Sequence, residues 1–192
     1  MDKNPEMVLD EDLSQIQNKF SDSTPNIILF SHPFVKAEFL NRIIETSDRK
    51  IIYLDFDLLY SGYVTAKLVK QNPKVRIYRL NFENYHNSLA EIIDIISRER
   101  FLIIIDSLNG LNNLFEEKDF ARFVNSSIML LSTAASSVKS HVIVCAMGRR
   151  KDSEWVLVPG GRHILEPIHG TTFYVKEATG KLRMTEFENK LN

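Results

Sequence analysis

The stretch FLIIIDS, residues 101–107, decides the fold of this chain. Its five consecutive apolar residues are typical of a strand that is buried on both faces, and the run ends abruptly in an aspartate. Four other apolar runs have the same character, namely NIILF (26–30), KIIYLDF (50–56), VRIYRL (75–80) and HVIVCAM (141–147). Five such runs predict a sheet whose strands lie in the interior of the protein.

Helical patterns separate these runs, with apolar residues recurring on one face of each segment. The predicted helices are Lys36–Thr46, Ser61–Gln71, Ser88–Arg98 and Phe120–Val138. Short buried strands that alternate with helices of ~10–20 residues indicate parallel strands covered on both faces. The sequence therefore predicts a three-layer α/β fold with a mainly parallel sheet.

The rhythm changes after residue 148. EWVLVP (154–159), Thr171–Glu177 and KLRMTEF (181–187) alternate like short antiparallel strands, with a hairpin turn around Ala178–Gly180. At the other end, residues 1–25 are polar and acidic and include a short predicted helix, Leu13–Phe20. We therefore expect an N-terminal extension (1–25) followed by one core domain (26–192).

Composition narrows the classes of protein that fit. The chain has 192 residues, of which 44% are hydrophobic and 26% charged, as in an ordinary globular domain. A net charge of -1 argues against a generally basic nucleic-acid coat but leaves a local basic patch open. The single cysteine, the lack of a ~20-residue apolar segment and the lack of a signal-peptide pattern predict an intracellular protein, cytoplasmic or nuclear, without membrane contact.

The loop after the first core strand, FSHPFVKA (30–37), occupies the place of a phosphate-binding loop. Such loops have the pattern G-x-x-x-x-G-K-[ST], because glycines allow the backbone to wrap the phosphates and the hydroxyl binds Mg²⁺. With Lys36 as the lysine, Phe30 and Val35 stand at the glycine positions and Ala37 at the hydroxyl position. The loop is either a relic nucleotide site with Lys36 as residual phosphate ligand or a plain turn with an exposed lysine.

Acidic residues end two of the strands at the predicted ligand edge. Asp106 follows the apolar run 101–105, where nucleotide-binding α/β proteins hold Mg²⁺, but it could equally cap the next segment. Asp57 follows the second core strand and could orient a water molecule or simply be solvated. If both carboxylates share a cleft with Lys36, the lysine would offset their repulsion. The five histidines and the cysteine show no metal-ligand spacing, so no metal site is predicted.

The order of these features resembles the core of the RecA/RadA recombinase superfamily over residues 26–187. The C-terminal part carries the most specific likeness, with a Gly-Gly-Arg-His-Ile-Leu run (160–165) followed by two strands and a turn. The resemblance implies a RecA-like P-loop NTPase fold. It places Lys36 at the Walker A lysine, Asp106 at the Walker B aspartate and Asp57 at the catalytic glutamate.

Departures from this superfamily's pattern have functional consequences. The Walker A glycines and hydroxyl are missing, CAM (145–147) replaces the polar sensor, and the polymerisation motif is absent. We therefore expect a protein that lacks ordinary ATP hydrolysis and binds no cofactor, although residual ATP binding is an open alternative.

A basic loop, GRRKDSEWVLVPGGR (148–162), follows the fifth core strand, where the resemblance places a DNA-binding loop. Arg149, Arg150, Lys151 and Arg162 could contact phosphates, and Trp155 could stack on a base. The alternative is a β-hairpin with solvated charges and a tryptophan packed on the core.

These features lead to an expected function and two rivals. The first expectation is an accessory protein of homologous recombination or DNA repair, resembling recombinase paralogues, that binds single-stranded DNA or a RecA-fold partner subunit. The rivals are a structural RecA-fold subunit of an Elongator-like tRNA-modification assembly and a KaiC-like regulatory ATP-binding protein.

Overall fold

A computed structural model of the chain describes residues 7–8, 16, 18–22, 24–113, 120–151, 154–157 and 171–187. For residues 7–8, 112–113, 120–122, 149–151, 154–157 and 187 the backbone alone is described. Arg162, one of the predicted nucleic-acid ligands, lies outside these residues.

The described chain alternates strands and helices through most of its length. The strands are β1 (Met7–Val8), β2 (Asn26–Phe30), β3 (Lys50–Asp55), β4 (Val75–Tyr78), β5 (Phe101–Asp106), β6 (His141–Lys151), β7 (Glu154–Leu157), β8 (Thr171–Ala178) and β9 (Lys181–Phe187). The helices are α1 (Pro33–Thr46), α2 (Leu59–Thr65), α3 (Tyr85–Ile96), α4 (Leu108–Asn113) and α5 (Phe120–Ser136).

The sheet has the strand order β1-β9-β8-β2-β6-β5-β3-β4, and β7 pairs with the end of β6. The pairs among β2, β3, β4, β5 and β6 are parallel, as the sequence predicts. The C-terminal strands differ in one respect, since β8 is antiparallel to β9 but parallel to β2. β8 therefore joins the two parts of the sheet.

Two apolar clusters cover the two faces of the sheet and confirm the three-layer prediction. On one face, side chains of α3 and α5 such as Ile92 and Ile128 pack against Ile103. On the other face, Phe39 and Ile43 of α1 pack against Ile104. Because successive strand residues point to opposite faces, the continuous apolar run of β5 supplies both clusters.

The N-terminal segment contributes to the second of these clusters. Ile16 and Phe20 are buried there, and β1 pairs with β9. The Asn26 side-chain amide donates hydrogen bonds to the carbonyl oxygens of Ser21 and Val142, at 3.0 and 3.1 Å. These contacts attach the segment before residue 26 to the core, while the predicted boundary at residues 25 and 26 stays a prediction.

Candidate functional site

Lys36 lies in the first turn of α1, directly beyond the carboxyl end of β2. The helix begins at Pro33, and the His32 ring nitrogen Nδ1 accepts a hydrogen bond from the Phe34 backbone N–H at 3.3 Å. Proline at the first helical position and a side-chain cap before it are favourable for a helix N-terminus. Only two residues, Ser31 and His32, therefore separate the strand from the helix, and Val35 is packed in the core.

The side chain of Lys36 is buried and forms two ion pairs. Its ammonium nitrogen Nζ lies 2.6 Å from Asp57 Oδ2 and 2.5 Å from Asp106 Oδ1, and the lysine side chain is only 2% exposed. Asp57 is 24% exposed, whereas Asp106 is as buried as the lysine. All three residues that the sequence placed at the ligand edge therefore meet in one cluster, with the lysine between the two carboxylates.

Two further side chains complete the network around these carboxylates. The Tyr53 hydroxyl donates to Asp106 Oδ2 at 2.5 Å, and the Ser107 hydroxyl donates to Asp57 Oδ2 at 2.8 Å. Both oxygens of Asp106 thus have a partner inside the protein. Sequence reasoning missed Tyr53 and Ser107, although the position of Tyr53 on the face of β3 that carries Asp55 is a usable signal.

The protonation of the cluster follows from burial and from the opposed charges. Burial alone lowers the pKa of Lys36, but the carboxylates of Asp106 and Asp57 outweigh it and raise the lysine pKa above its ordinary value. Burial raises the pKa of Asp106, against the opposing effects of Lys36 and Tyr53. Burial and then the Asp106 charge raise the pKa of Tyr53. Lys36 therefore keeps its proton at neutral pH, and Tyr53 stays a hydrogen-bond donor.

Gly110 allows α4 to approach the end of β3 closely enough to hold this cluster. A Cβ atom at Gly110 would lie 2.0 Å from Asp57 Oδ1 and 2.8 Å from the Phe56 carbonyl carbon. The Gly110 backbone N–H donates to the Ser107 hydroxyl at 3.4 Å. In the run SLNGLNN (107–113), glycine is therefore required by a close approach rather than by a turn.

The residues at this edge do not fit a nucleoside triphosphate with its magnesium. The Lys36 ammonium and the Asp106 carboxylate are bound to internal partners, and the Phe34 N–H at the helix N-terminus is bound to His32. Val35 is buried at a glycine position, and Ala37 offers no oxygen to a metal. At the described residues of this edge, Lys36 and Asp106 are therefore engaged by internal partners, and the loop before α1 has no glycine.

Three alternatives left open by the sequence are wrong in this structure. Lys36 is not an exposed lysine on a plain turn, because both carboxylates hold it in the interior. Asp106 does not cap the next segment, since its oxygens are bound to Lys36 and Tyr53 and it is Ser107 that contacts the Gly110 N–H. Asp57 is not a merely solvated strand end.

An apolar cavity of about 410 Å³ lies beside the cluster. Aromatic and aliphatic side chains of α1, of α2 and of the segment after α2 line most of it, including Phe34, Tyr60, Tyr63 and Leu68, and Asp106 lies at its wall. Tyr53 and Tyr60 stack with ring centroids 4.5 Å apart. Phe34 and Leu68 are 70% and 73% exposed, so apolar surface is open to solvent at the edge where related folds bind ligands.

The fifth core strand continues into the basic stretch, which pairs with β7 as a β-hairpin. β6 continues through Arg149, Arg150 and Lys151 and pairs antiparallel with β7, so that Arg150 lies opposite Trp155 and Lys151 opposite Glu154. Four of the five predicted nucleic-acid ligands therefore belong to one hairpin at the end of β6. The hairpin itself agrees with the structural alternative that the sequence left open.

The described residues contain no group of three or more histidine, cysteine, aspartate or glutamate side chains arranged to hold a metal ion. In the same part of the chain, none of the helices has the length and apolar character needed to cross a bilayer.

The fold of this chain was compared with those of known proteins. No protein-family profile and no curated protein sequence matches the chain. The RadB recombinase structure is similar, with a TM-score of 0.58 and 13% identity over 88% of this chain and 82% of that one. The ATPase domain of a helicase has a TM-score of 0.56 and 9% identity over 88% and 83%. At such identities the likeness establishes architecture alone, and the chain has the RecA-like ATPase fold.

Proposed function

We propose that this protein is a RecA-fold accessory factor of homologous recombination or DNA repair that binds DNA or a RecA-fold partner without hydrolysing ATP. One observation carries the proposal. Lys36, which the resemblance assigns to the Walker A lysine, pairs with the carboxylates of Asp57 and Asp106, and both Lys36 and Asp106 are only 2% exposed. An edge that performs phosphoryl transfer needs these groups free for phosphate and magnesium.

The energetic argument supports the same proposal. Removing Lys36 from Asp57 and Asp106 to bind a phosphate would leave two carboxylates facing each other, one of them almost fully buried. An unpaired buried carboxylate costs several kcal/mol unless it takes up a proton, roughly the energy that separates micromolar from millimolar affinity. Nucleotide binding would have to supply that energy without a glycine loop to help.

The basic hairpin β6–β7 supports contact with nucleic acid. Three consecutive cationic residues, Arg149 to Lys151, lie in the strand that extends beyond the parallel sheet. Phosphate contacts from arginine and lysine supply most of the affinity for nucleic acid without sequence preference, and an aromatic side chain can add base stacking. Trp155 lies across the hairpin ladder from Arg150.

The exposed apolar edge supports a protein partner. Phe34 and Leu68 lie at the cavity beside the Lys36 cluster, where large apolar side chains are solvent-exposed. Contiguous exposed apolar surface on a folded domain is commonly a contact site for another protein. A partner subunit of the same fold could cover the exposed side chains of Phe34 and Leu68 by packing against this edge of the domain.

The first experiment measures nucleotide binding and turnover. Calorimetry with ATP and magnesium should show no binding at millimolar nucleotide concentrations. The rate of phosphate release from ATP should be no higher for the native chain than for a variant that carries both Lys36→Met and Asp106→Asn. Measurable affinity that Lys36→Met abolishes would favour the KaiC-like regulatory alternative instead.

The second experiment measures binding to a fluorescent single-stranded oligonucleotide at about 50 to 200 mM salt. The triple variant Arg149→Gln, Arg150→Gln, Lys151→Gln should bind less tightly, and its salt dependence should fall by about 0.7 per lost phosphate contact. A matched control, Lys67→Gln with Lys70→Gln and Arg98→Gln, removes three exposed charges elsewhere. Equal loss in both variants contradicts a specific role of the hairpin, and preference for tRNA over DNA favours the Elongator-like alternative.

The third experiment isolates the native partner. Phe34→Ser with Leu68→Ser should reduce co-purification of a RecA-fold protein, while Met129→Ser with Leu130→Ser, which replaces exposed apolar residues of α5, should not. Undiminished capture by the first variant would remove the apolar edge from the proposal.

A further inference from the structure

A second, polar cavity lies at the opposite edge of the sheet, near the amino ends of β3 and β6. Its volume is about 560 Å³, and it is lined by Asn18, Phe20, Ser21, Asp22, Thr46, Asp48, Arg49 and His141. None of these residues belongs to the Lys36 cluster. A polar concavity of this size can hold a small organic molecule with several hydrogen bonds.

His141 provides the first indication that the cavity is a site for a ligand. Its side chain is nine-tenths buried, and in the described part of the chain its ring contacts the edge of Phe20 but has no hydrogen bond. The ring nitrogens are not among the fully enclosed polar atoms without a partner in the described residues, so they are open to the cavity. A ligand oxygen in the cavity could bond to the ring in place of water.

The arrangement of two arginines provides an independent indication. Arg49 Nη1 and Arg100 Nε both donate to the Lys139 carbonyl oxygen, at 3.5 and 3.3 Å. Within the described residues neither guanidinium has a carboxylate within 4.0 Å, and burial together with the Arg100 charge lowers the pKa of Arg49. Most of the N–H groups of Arg49 are therefore left for an oxyanion, which a guanidinium binds well.

Two carboxylates at the same cavity restrict the kind of anion. Asp22 and Asp48 line it without an ion pair in the described part of the chain. Multiply charged anions without donors would be repelled by them, whereas hydroxyl groups of an organic ligand could donate to their oxygens. The lining thus combines hydrogen-bond donors on Arg49 and His141 with acceptor oxygens on Asp22 and Asp48.

We propose that this cavity binds a small hydroxylated organic anion, with its phosphate or carboxylate group on Arg49 and His141 and its hydroxyl groups toward Asp22 and Asp48. This site is independent of the proposed role in DNA repair, because it shares no residue with the Lys36 cluster or with the β6–β7 hairpin.

The test uses four probes of similar size on the full chain, with binding followed by calorimetry and by NMR of the His141 ring. Glycerol 3-phosphate and glycerate carry both features, and which of them binds more tightly identifies the anionic group. Glycerol lacks the anion and inorganic phosphate lacks the hydroxyl groups, so both should bind at least tenfold more weakly than the better of the first two.

Two variants assign the binding to the cavity. Arg49→Gln should weaken binding of the better probe by about tenfold or more, as loss of a charge-assisted hydrogen bond does. Arg76→Gln, on the exposed edge strand β4, should leave it unchanged. Absence of binding of both hydroxylated anions, or binding that Arg49→Gln does not weaken, overturns the proposal.

The His141 ring gives a second readout that does not depend on any variant. Burial, Arg49 and Arg100 lower its pKa to about 4, against the opposing negative charges of Asp22 and Asp48. An anion bound beside the ring should raise that pKa, so affinity should increase as the pH falls from 7 to 5. A His141 titration that the better probe does not move contradicts the predicted contact.

Discussion

Lys36 is the residue on which both the structure of the ligand edge and its expected inactivity depend. Replacing Lys36 with Met should reduce the free energy of unfolding by about 3–5 kcal/mol, because Asp106 would remain buried without its partner. Urea denaturation at pH 7 measures this loss. Lys50→Met, which removes an exposed lysine paired with Glu99, is the matched control and should cost no more than ~1 kcal/mol.

A double variant separates the ion pair from the rest of the lysine side chain. Adding Asp106→Asn to Lys36→Met removes the unpaired charge and should recover part of the lost stability. If the double variant is less stable than Lys36→Met alone, the hydrogen bond from the Tyr53 hydroxyl to the Asp106 carboxylate outweighs the cost of the unpaired charge.

His141 predicts a pH dependence of stability in the acidic range. Burial lowers its pKa to about 4 in the folded protein, compared with an ordinary value of 6.5. The unfolded chain therefore binds a proton more readily, so the contribution of His141 is complete above about pH 6.5 and is lost as the pH falls toward 4. Denaturation at pH 7.0, 5.5 and 4.5 should show a steeper loss for the native chain than for His141→Asn. Parallel curves contradict this assignment.

The sequence predicts which charged residues belong to the Lys36 cluster, but it predicts only some of the contacts among them. Lys36, Asp57 and Asp106 are visible as charged residues that end apolar runs, and the carboxyl ends of parallel strands share one edge. Their contacts depend on β3 lying beside β5 in the register that sets Asp55 next to Asp106. No local pattern encodes that neighbour relation, which is why Tyr53 and Ser107 were not predicted.

At the level of elements, strand positions are predicted better than helix ends. β2 and β5 coincide with the apolar runs 26–30 and 101–106, because burial on both faces requires apolar residues throughout. The helix expected over Ser61–Gln71 ends at Thr65 instead. Lys67 adopts a left-handed conformation there, and the Leu68 N–H bonds to the Tyr63 carbonyl, a helix end normally marked by glycine.

The β8–β9 hairpin and helix α2 offer a matched pair of glycines. Gly180 has a φ of 73° and open space around its Cα, so Gly180→Ala should cost about 1 kcal/mol from backbone conformation alone. Gly62 lies within α2, also in open space, and Gly62→Ala should stabilise by up to ~1 kcal/mol. Thermal denaturation of both variants measures the difference, and a stabilising Gly180→Ala contradicts the positive φ.

At the level of the molecule, the N-terminal segment is expected to be part of the folding unit. Ile16 and Phe20 are buried in the cluster that α1 forms with the sheet. Ile16→Ala should cost about 2–5 kcal/mol and Phe20→Ala about 3–5 kcal/mol, as truncations in a core do. Lys19→Ala, at an exposed position, is the control. Unfolding curves unaffected by both truncations would support an extension separate from a 26–192 core.

The architecture of the whole chain is more predictable than its role. Alternating apolar runs and helices leave few arrangements open, since connections are short and crossovers right-handed. The role depends on which molecules bind to the ligand edge and to the basic hairpin. The types of residue at these two places do not identify those molecules. The departure of Val35 and Ala37 from the phosphate-loop pattern is visible in the sequence, whereas the engagement of Lys36 by two carboxylates is visible only in three dimensions.

Both oxygens of Asp106 are held by Lys36 and Tyr53, and this has a consequence for any attempt to engineer nucleotide binding into the chain. Val35→Gly with Ala37→Thr would introduce one glycine and the hydroxyl of the phosphate-loop pattern, yet the Asp106 carboxylate would still be bound to its internal partners. Under the proposed function, two separate obstacles to nucleotide hydrolysis exist, one in the loop and one in the hydrogen bonds of Asp106. Repairing the loop alone is therefore expected to leave nucleotide turnover unchanged.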